Sequence, residues 1–406
     1  MMRLRQRQLI HVGLWALALI LGARFAFFTF GAAVRPSNGF AAYYTASRLV
    51  KEGVDVSRFY DDAWFRAEIA EYGPDVNDIY NLNPPTTALL LLPLAGLDYT
   101  AARIAWTFFN LMCLTGAVGW LMQQTGFRGL WIPVFIAFAL LYQPVYANFS
   151  QGQAYVLMLV LLAMAWLGYR HRRAWALGVA LGLMLVLKTA GVLLWVLLLV
   201  QGRWRALVWG AASALIVGLV TLPGLGLNAW RTYFHLLPGL SARPELAVTA
   251  YQTLPGFVRR LLVFDERWNP APLFHAPALA NWLVGLGFVV MAGISTYRAH
   301  ITDQADLIFA AFASASLILS PVSLDYHYTL LLLPIAILIA WAREPAAAWT
   351  GIVLAAAMLL LAADLPYRAP QLAAGAWALL AYPTLYGAWL LWGLALWACR
   401  REVSLL

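Results

Sequence analysis

The chain has 406 residues, 63% hydrophobic and only 11% charged, with a mean hydropathy of +0.73 and a formal net charge of +9. Soluble domains carry about 25% charged residues, so this composition excludes a water-soluble enzyme and describes an integral membrane protein. In such a chain a basic excess belongs to cytoplasmic loops rather than to nucleic acid, and the two cysteines, Cys113 and Cys399, lie in distant apolar segments and give neither a disulfide framework nor a metal site.

The first apolar run, residues 9–30, follows "MMRLRQRQ". It is too long for a signal peptide, lacks a small-residue cleavage site and precedes many similar runs, so it is expected to stay as a membrane helix. Residues 31–100 then form a connection far longer than a linker requires. Amphipathic helices are expected over 41–53 and 58–73, stopping at Gly53 and Gly73, with Asp61 at the N-cap of the second. Both suit the membrane surface, aromatic side down. "NPPTTALLLLPLAGL" (83–97) opens with prolines that fit a helix start or a kink and is too short to span. Membrane helices follow at 101–122, 130–147, 153–169, 174–187, 190–201, 204–222, 278–298, 306–319, 328–342, 347–363 and 375–398. The expected architecture is therefore all-α and polytopic, one membrane domain over 1–406 with about twelve crossings.

Placing the N-terminus inside puts Arg128, "RHRR" (170–173), "RWR" (203–205), "YRAH" (297–300), Arg343 and "RR" (400–401) all on the cytoplasmic side, as the positive-inside rule requires. The stretch 176–200 contains one charge, Lys188, and basic clusters flank it at both ends. A single crossing would put one cluster outside, so the chain must go out and return, with "KTAG" (188–191) as the turn. Legs of this length reach only ~20 Å at 1.5 Å per residue, short of a ~30 Å hydrocarbon core. Lys188 is either a lysine snorkelling to the interface or a functional cation in a recess.

This topology gathers 31–100, 147–153, 188–190, 223–277, 320–327 and 364–374 on the outer face. Most acidic residues fall there, including Glu52, Asp61, Asp62, Asp75 and Asp78, together with the polar stretches "NFSQGQ" (148–153) and "SPVSLDYHY" (320–328). That convergence describes a site. Asp61 or Asp62 could act as an acid/base group or as a plain cap. Asp325 could orient His327 or cap the next helix, although side chains two apart do not face each other on a regular helix. No P-loop, nucleophile elbow, HExxH or GxGxxG occurs in a credible context, so any activated donor is expected to be lipid-borne.

Taken in order, the outer segments resemble glycosyltransferase family 87, membrane enzymes of the GT-C type that include polyprenol-phosphate-mannose-dependent mannosyltransferases. "GFAAYYTASRL" (39–49) resembles the family's "DFxxYYxAARAL", and "NPPTTALLLLPLAGLDYTAARIAW" (83–106) its "YPPxxALLLxPLAxLPxxxARxLW". "GQ" (152–153), "GLMLVLKTAGVLL" (182–194), "YQTLPGFVRRLL" (251–262) and "LSPVSLDYHYTLLLLP" (319–334) resemble later family motifs. The resemblance implies a GT-C-like bundle in the plasma membrane, both termini cytoplasmic, that moves a hexose, commonly mannose, from a polyprenyl-phosphate sugar donor to a lipid or glycan acceptor on the outer face. It implies inversion at the sugar, no metal and no cofactor. Lys188 and His327 would hold the donor phosphate, and Asn38, Tyr43, Tyr44, Gln153, Tyr251 and Gln252 would contact substrate. The family's general base is an Asp at the position of Gly39, which leaves Asp61, Asp62, Asp325 or Glu52 to serve. The family's Asn after "GQ", its Asn before "QS" and its Trp are replaced at Tyr155, Tyr251 and Leu324. The alternatives are a catalytically silent relative that binds polyprenyl-phosphate sugars, and a lipid or polysaccharide transporter, although the halves show no internal symmetry.

Overall fold

A segment in hydrocarbon must satisfy every backbone N–H and C=O internally, and a chain this apolar does so with helices. The computed structural model describes residues 2–240, 242–343 and 348–399, and these contain no strand. The basic pair at 400–401 lies outside the described residues. The α-helices are α1 (Met2–Ala33), α2 (Asn38–Lys51), α3 (Asp62–Ile69), α4 (Tyr99–Gln124), α5 (Trp131–Leu141), α6 (Gln143–Gln151), α7 (Tyr155–Arg170), α8 (Ala174–Lys188), α9 (Val192–Val200), α10 (Trp204–Leu225), α11 (Leu227–Leu240), α12 (Leu254–Leu262), α13 (Pro277–Ile301), α14 (Ala305–Ile318), α15 (Leu332–Ala342), α16 (Ala348–Ala362) and α17 (Pro383–Ala398).

Each expected membrane segment coincides with helix, but length divides them. Among the described residues, five helical segments are long and apolar enough to cross a bilayer: 8–33, α4, α10, α13 and 325–342. Two bent pairs, α5 with α6 at 48° and 375–381 with α17 at 57°, raise the number to seven. Pro144 and Pro383 stand in the first turn after each break, where a missing N–H costs nothing and the preceding residue is driven from helical geometry. Helices α7, α8, α14 and α16 are apolar but shorter, and 16 residues rise only ~24 Å. Leu19, Ile20 and Phe27 on α1, Ile216 and Val220 on α10, and Trp282 and Val289 on α13 are all well exposed. These faces meet lipid, which makes the chain a membrane protein.

The segment 31–100 is not a loose loop. It has its own apolar core, in which Phe59, Phe65, Ile69 and Tyr80 pack with Leu225, Ala229 and Tyr233 from the end of α10 and from α11. Helix α2 is buried from Gly39 to Ser47, on all sides rather than one. It is thus enclosed by protein, where sequence periodicity had suggested a helix lying along the membrane surface.

Helix α8 carries Lys188 at its last position. It packs between α7 and α10, and the contact with α10 depends on missing side chains. A Cβ on Gly178 would lie 2.7 Å from the backbone nitrogen of Gly210, and one on Gly182 would lie 2.5 Å from the carbonyl oxygen of Gly210. These two glycines, four apart on one face, let the backbones touch, the small-residue packing of membrane helices. Thr189 then ends α8 in the left-handed region at φ 51°, and Gly191 starts α9 at φ 76°. The expected turn at 188–191 is present.

Candidate active site

The last carbonyls of a helix have no partner within it. At α8 they are satisfied from the segment that begins "NPPTT". The Thr86 hydroxyl donates to the carbonyl of Val186, and the Thr87 hydroxyl donates to that of Leu187 at 2.6 Å. Asn83, just upstream, accepts from the Lys188 ammonium with its side-chain oxygen at 2.7 Å. The 83–89 segment therefore caps α8 and fixes its terminal lysine in one contact. Thr87→Val is expected to lower the thermal midpoint of the purified protein by the equivalent of about 1–3 kcal/mol, the cost of leaving a buried carbonyl unpaired. An unchanged midpoint would remove this capping role.

From Lys188 a hydrogen-bonded chain runs into the protein. The ammonium donates to the Tyr43 hydroxyl at 2.6 Å, and that hydroxyl donates to Oε1 of Gln153. The lysine also lies over the rings of Tyr43 and Tyr155, at 4.8 and 5.6 Å from their centroids, a favourable place for a cation. All these partners are neutral. Among the described residues no carboxylate lies within ion-pair distance of Lys188.

These groups line a cavity of about 420 Å³, within the usual size of small-molecule sites. Its polar lining carries Lys188, Tyr43, Gln153, Asp78, His327 and Ser323. His327 stacks against Tyr155 with centroids 4.2 Å apart. Its Nδ1 accepts the backbone N–H of Leu324 at 3.0 Å, so the neutral ring carries its hydrogen on Nε2. Ser323 is fully buried, and its hydroxyl has no partner among the described residues. The lining also includes apolar residues, Val192 and Val196 of α9, Leu237 and Leu240 of α11, and Phe288 of α13. Val192 is 53% exposed and Phe288 47% exposed, so the apolar part of the lining reaches the exposed apolar surface. The lining thus combines a lysine and hydrogen-bonding groups with apolar side chains that reach the exposed surface.

Of the residues singled out in the sequence, Lys188, His327, Tyr43 and Gln153 meet at this cavity. The others do not line it. Asp61 is exposed and accepts from the backbone N–H groups of Ala63 and Trp64, the N-cap of α3. Asp62 takes both hydrogen bonds of the Asn81 amide, at 2.6 and 2.8 Å; burial raises its pKa while Arg243 opposes the shift. Asp325 is spent on Arg368, at 2.7 Å, and on the Tyr367 hydroxyl. It does not line the cavity that His327 lines. Glu52 is exposed beside Arg48. Tyr44 donates to the carbonyl of Leu97, and the backbone of Tyr251 turns through a bond to Val248. Gln252 is fully buried and brackets distant segments: its amide donates to Thr249 and Ala381 and accepts from the N–H of Thr384, while its own N–H holds the Ser323 carbonyl. Asn38 accepts the backbone N–H of Asn77 at 3.1 Å and so holds the loop that carries Asp78.

The lining residues that went unselected in the sequence include Asn83, Ser323 and Asp78. Asn83 and Ser323 sit inside motifs already noticed, "NPPTT" and "SPVS". Asp78 is the sole carboxylate among the described residues that line the cavity. In the sequence it was one acid among many in 31–100, and nothing in its spacing separates it from the rest.

The fold and the cavity together describe a membrane-embedded helical bundle with a lysine-bearing cavity that reaches its exposed apolar surface. The sequence model of glycosyltransferase family 87 matches residues 81–321, more than half of the chain, and the chain belongs to that family. It is 25% identical over 279 residues to the polyprenol-phosphate-mannose-dependent alpha-(1-2)-phosphatidylinositol mannoside mannosyltransferase of Mycobacterium tuberculosis, covering 64% of this chain and 62% of that protein. It is 28% identical over 244 residues to the alpha-(1->3)-arabinofuranosyltransferase of Corynebacterium glutamicum, covering 56% of this chain and 55% of that one. The chain thus matches about six-tenths of the length of these curated relatives. No solved structure matches it.

Proposed function

We propose that the protein is a membrane glycosyltransferase that moves a sugar, mannose as in the name of one relative, from a polyprenyl phosphate to a hydroxyl of a lipid or glycan acceptor. The observation that carries this reading is the Lys188 ammonium, held by neutral partners in a cavity whose apolar lining reaches the exposed surface at Val192 and Phe288. A sugar-1-phosphodiester with a polyprenyl tail matches both features: the phosphate accepts from Lys188 and from Nε2 of His327, and the tail leaves past Val196 and Phe288 into the bilayer. When the sugar departs, the diester becomes a monoester and gains negative charge, and a fixed cation stabilises that charge most as it develops. Attack from the face opposite the phosphate inverts the anomeric carbon, and no step calls for a metal.

The site is assigned to the outer face of the plasma membrane, with both termini in the cytoplasm. Two clusters at opposite ends of the sequence pattern support this. The polar segments 38–43, 78–83, 153–155, 188–190 and 320–327 meet at one cavity. The arginines expected inside also meet one another's loops: Arg170 donates to the carbonyl of Gln124 and pairs with Asp306, and Arg343 donates to Thr125 and Gly126. The reading is tested with purified full-length protein in liposomes, given radiolabelled polyprenyl-phosphate-mannose or polyprenyl-phosphate-arabinose and a total lipid extract. Label moving into acceptor lipid supports it, and binding of polyprenyl phosphate without transfer of either sugar would leave a lipid-binding relative in its place. Impermeant thiol labelling of Ser57→Cys but not Arg172→Cys in sealed cells supports the orientation; the reverse pattern would overturn it.

A further inference from the structure

The glycosyl transfer just proposed needs a base for the acceptor hydroxyl, and the family's Asp position holds Gly39. That position cannot be refilled by a simple exchange. The amide of Gln153 lies where a side chain would emerge, and a Cβ there would stand 2.8 Å from the carbonyl oxygen of Gln151. The carboxylates proposed from the sequence are a helix cap (Asp61), an acceptor for Asn81 (Asp62), the partner of Arg368 (Asp325) and an exposed neighbour of Arg48 (Glu52). None of the four lines the cavity.

We infer that Asp78 is the general base of this chain, delivered to the cavity beside Lys188 from the 73–83 loop instead of from α2. The loop is built to hold it. Asn38, next to Gly39, binds the N–H of Asn77 at 3.1 Å, and the N–H of Ile79 donates to Asp78 Oδ1 at 2.8 Å. One oxygen is thereby fixed and the other is left for a substrate. A carboxylate near the family's position is thus restored by a neighbouring segment tied to that same turn of α2. This assignment rests on the glycosyl-transfer reading.

The step balances as follows. The acceptor O–H gives its proton to Asp78 as the oxygen forms its bond to the anomeric carbon. The bond from that carbon to the phosphate oxygen breaks, the electron pair stays on the phosphate, and polyprenyl phosphate leaves with one more negative charge beside Lys188. Asp78 then returns its proton to water.

The carboxyl also titrates where a base is useful. Burial pushes its pKa up to about 6, opposed by the Ile79 N–H, Lys188 and Arg66. The titratable groups around it are Lys188 at the end of α8, Arg66 on α3, Tyr43 on α2, Tyr251, and Tyr326 with His327 on the 325–331 turn. A base is active when deprotonated, so transfer should be lost as pH falls through about 6.

The test uses the full chain in liposomes with radiolabelled polyprenyl-phosphate-mannose and polyprenyl-phosphate-arabinose. It measures transfer and, separately, equilibrium binding of polyprenyl phosphate for wild type, Asp78→Asn, Asp78→Glu, Asp61→Asn, Asp62→Asn and Asp325→Asn. Asp78→Asn is expected to bind polyprenyl phosphate within about threefold of wild type, to transfer roughly 10²–10⁴-fold more slowly, and to lose the acidic limb of the pH profile. Asp78→Glu should keep that limb at reduced rate, and Asp61→Asn should resemble wild type. Transfer by Asp78→Asn within about tenfold of wild type, or a loss confined to Asp62→Asn or Asp325→Asn, overturns the assignment alone. Loss of polyprenyl phosphate binding in Asp78→Asn makes the residue structural and also overturns it. A wild type that binds polyprenyl phosphate and transfers neither sugar overturns the glycosyl-transfer reading, and the base falls with it.

Discussion

Lys188→Ala is expected to weaken polyprenyl phosphate binding about 10- to 100-fold, because a hydrogen bond to a charged group contributes about 1.5–3 kcal/mol. Transfer should fall further, by roughly 10²–10³, since the lysine acts on charge that develops only as the sugar leaves. The effect is local. Lys188 is the last residue of α8, and its partners Tyr43 and Asn83 remain hydrogen-bonded to Gln153 and to the carbonyl of Tyr80, so folding should survive. Lys188→Arg is a sharper probe. The ammonium is clasped at 2.6 Å by Tyr43 and 2.7 Å by Asn83, and a planar fork does not fit that clasp, so charge alone should restore only part of the binding. Equilibrium binding of tritiated polyprenyl phosphate reads both variants. Wild-type affinity in Lys188→Ala would show that the phosphate is held elsewhere.

The second large effect is remote from the chemistry. Gly182→Leu would force α8 away from α10, where a Cβ already stands 2.5 Å from the Gly210 carbonyl oxygen and a leucine has nowhere to turn. Overpacking of this kind costs about 1–3 kcal/mol and more where backbone must move. Helix α8 presents Lys188, so a shift of its axis would also break the clasp and the Thr86 and Thr87 caps. The expected result is a lower midpoint of thermal unfolding together with lost polyprenyl phosphate binding. Gly31→Leu on α1, with nothing within 4 Å of its Cβ position, serves as the control. A Gly182→Leu protein as stable as that control would mean that the close approach of α8 and α10 is not needed.

Much of this was legible in the sequence because it followed from physics that acts locally. The helical segments follow from hydrophobic runs, and the turn at 188–191 follows from basic clusters at both ends of 174–202. The meeting of Lys188, His327, Tyr43 and Gln153 follows from parity along the chain together with the family motifs. What was not legible depends on pairing between distant residues. Asp62 looked like a free acid until Asn81 was placed beside it, and Asp325 looked like a partner for His327 until Arg368 arrived from 43 positions on. Asp78 became distinctive only once the fold removed its competitors. The burial of α2 was hidden for a related reason: an amphipathic pattern names one apolar face, and the second cover for this helix comes from segments folded over it. The twelve expected crossings reflect helix existence, which periodicity reports well; span length is a separate property, and the bends at Tyr142 and Tyr382 divide it.

The apolar lining at Val192, Val196 and Phe288 has a consequence for how the protein would meet the donor proposed above. A lipid that enters sideways arrives by diffusion in two dimensions, and its concentration is a mole fraction of the bilayer rather than moles per litre of buffer. Adding inert phospholipid to a fixed amount of protein and polyprenyl donor should therefore slow a subsaturated reaction in proportion to the dilution, while changing the aqueous volume at constant lipid composition should leave the rate untouched. Membranes that change their polyprenol content would, by the same logic, set the rate of this protein without altering a single residue.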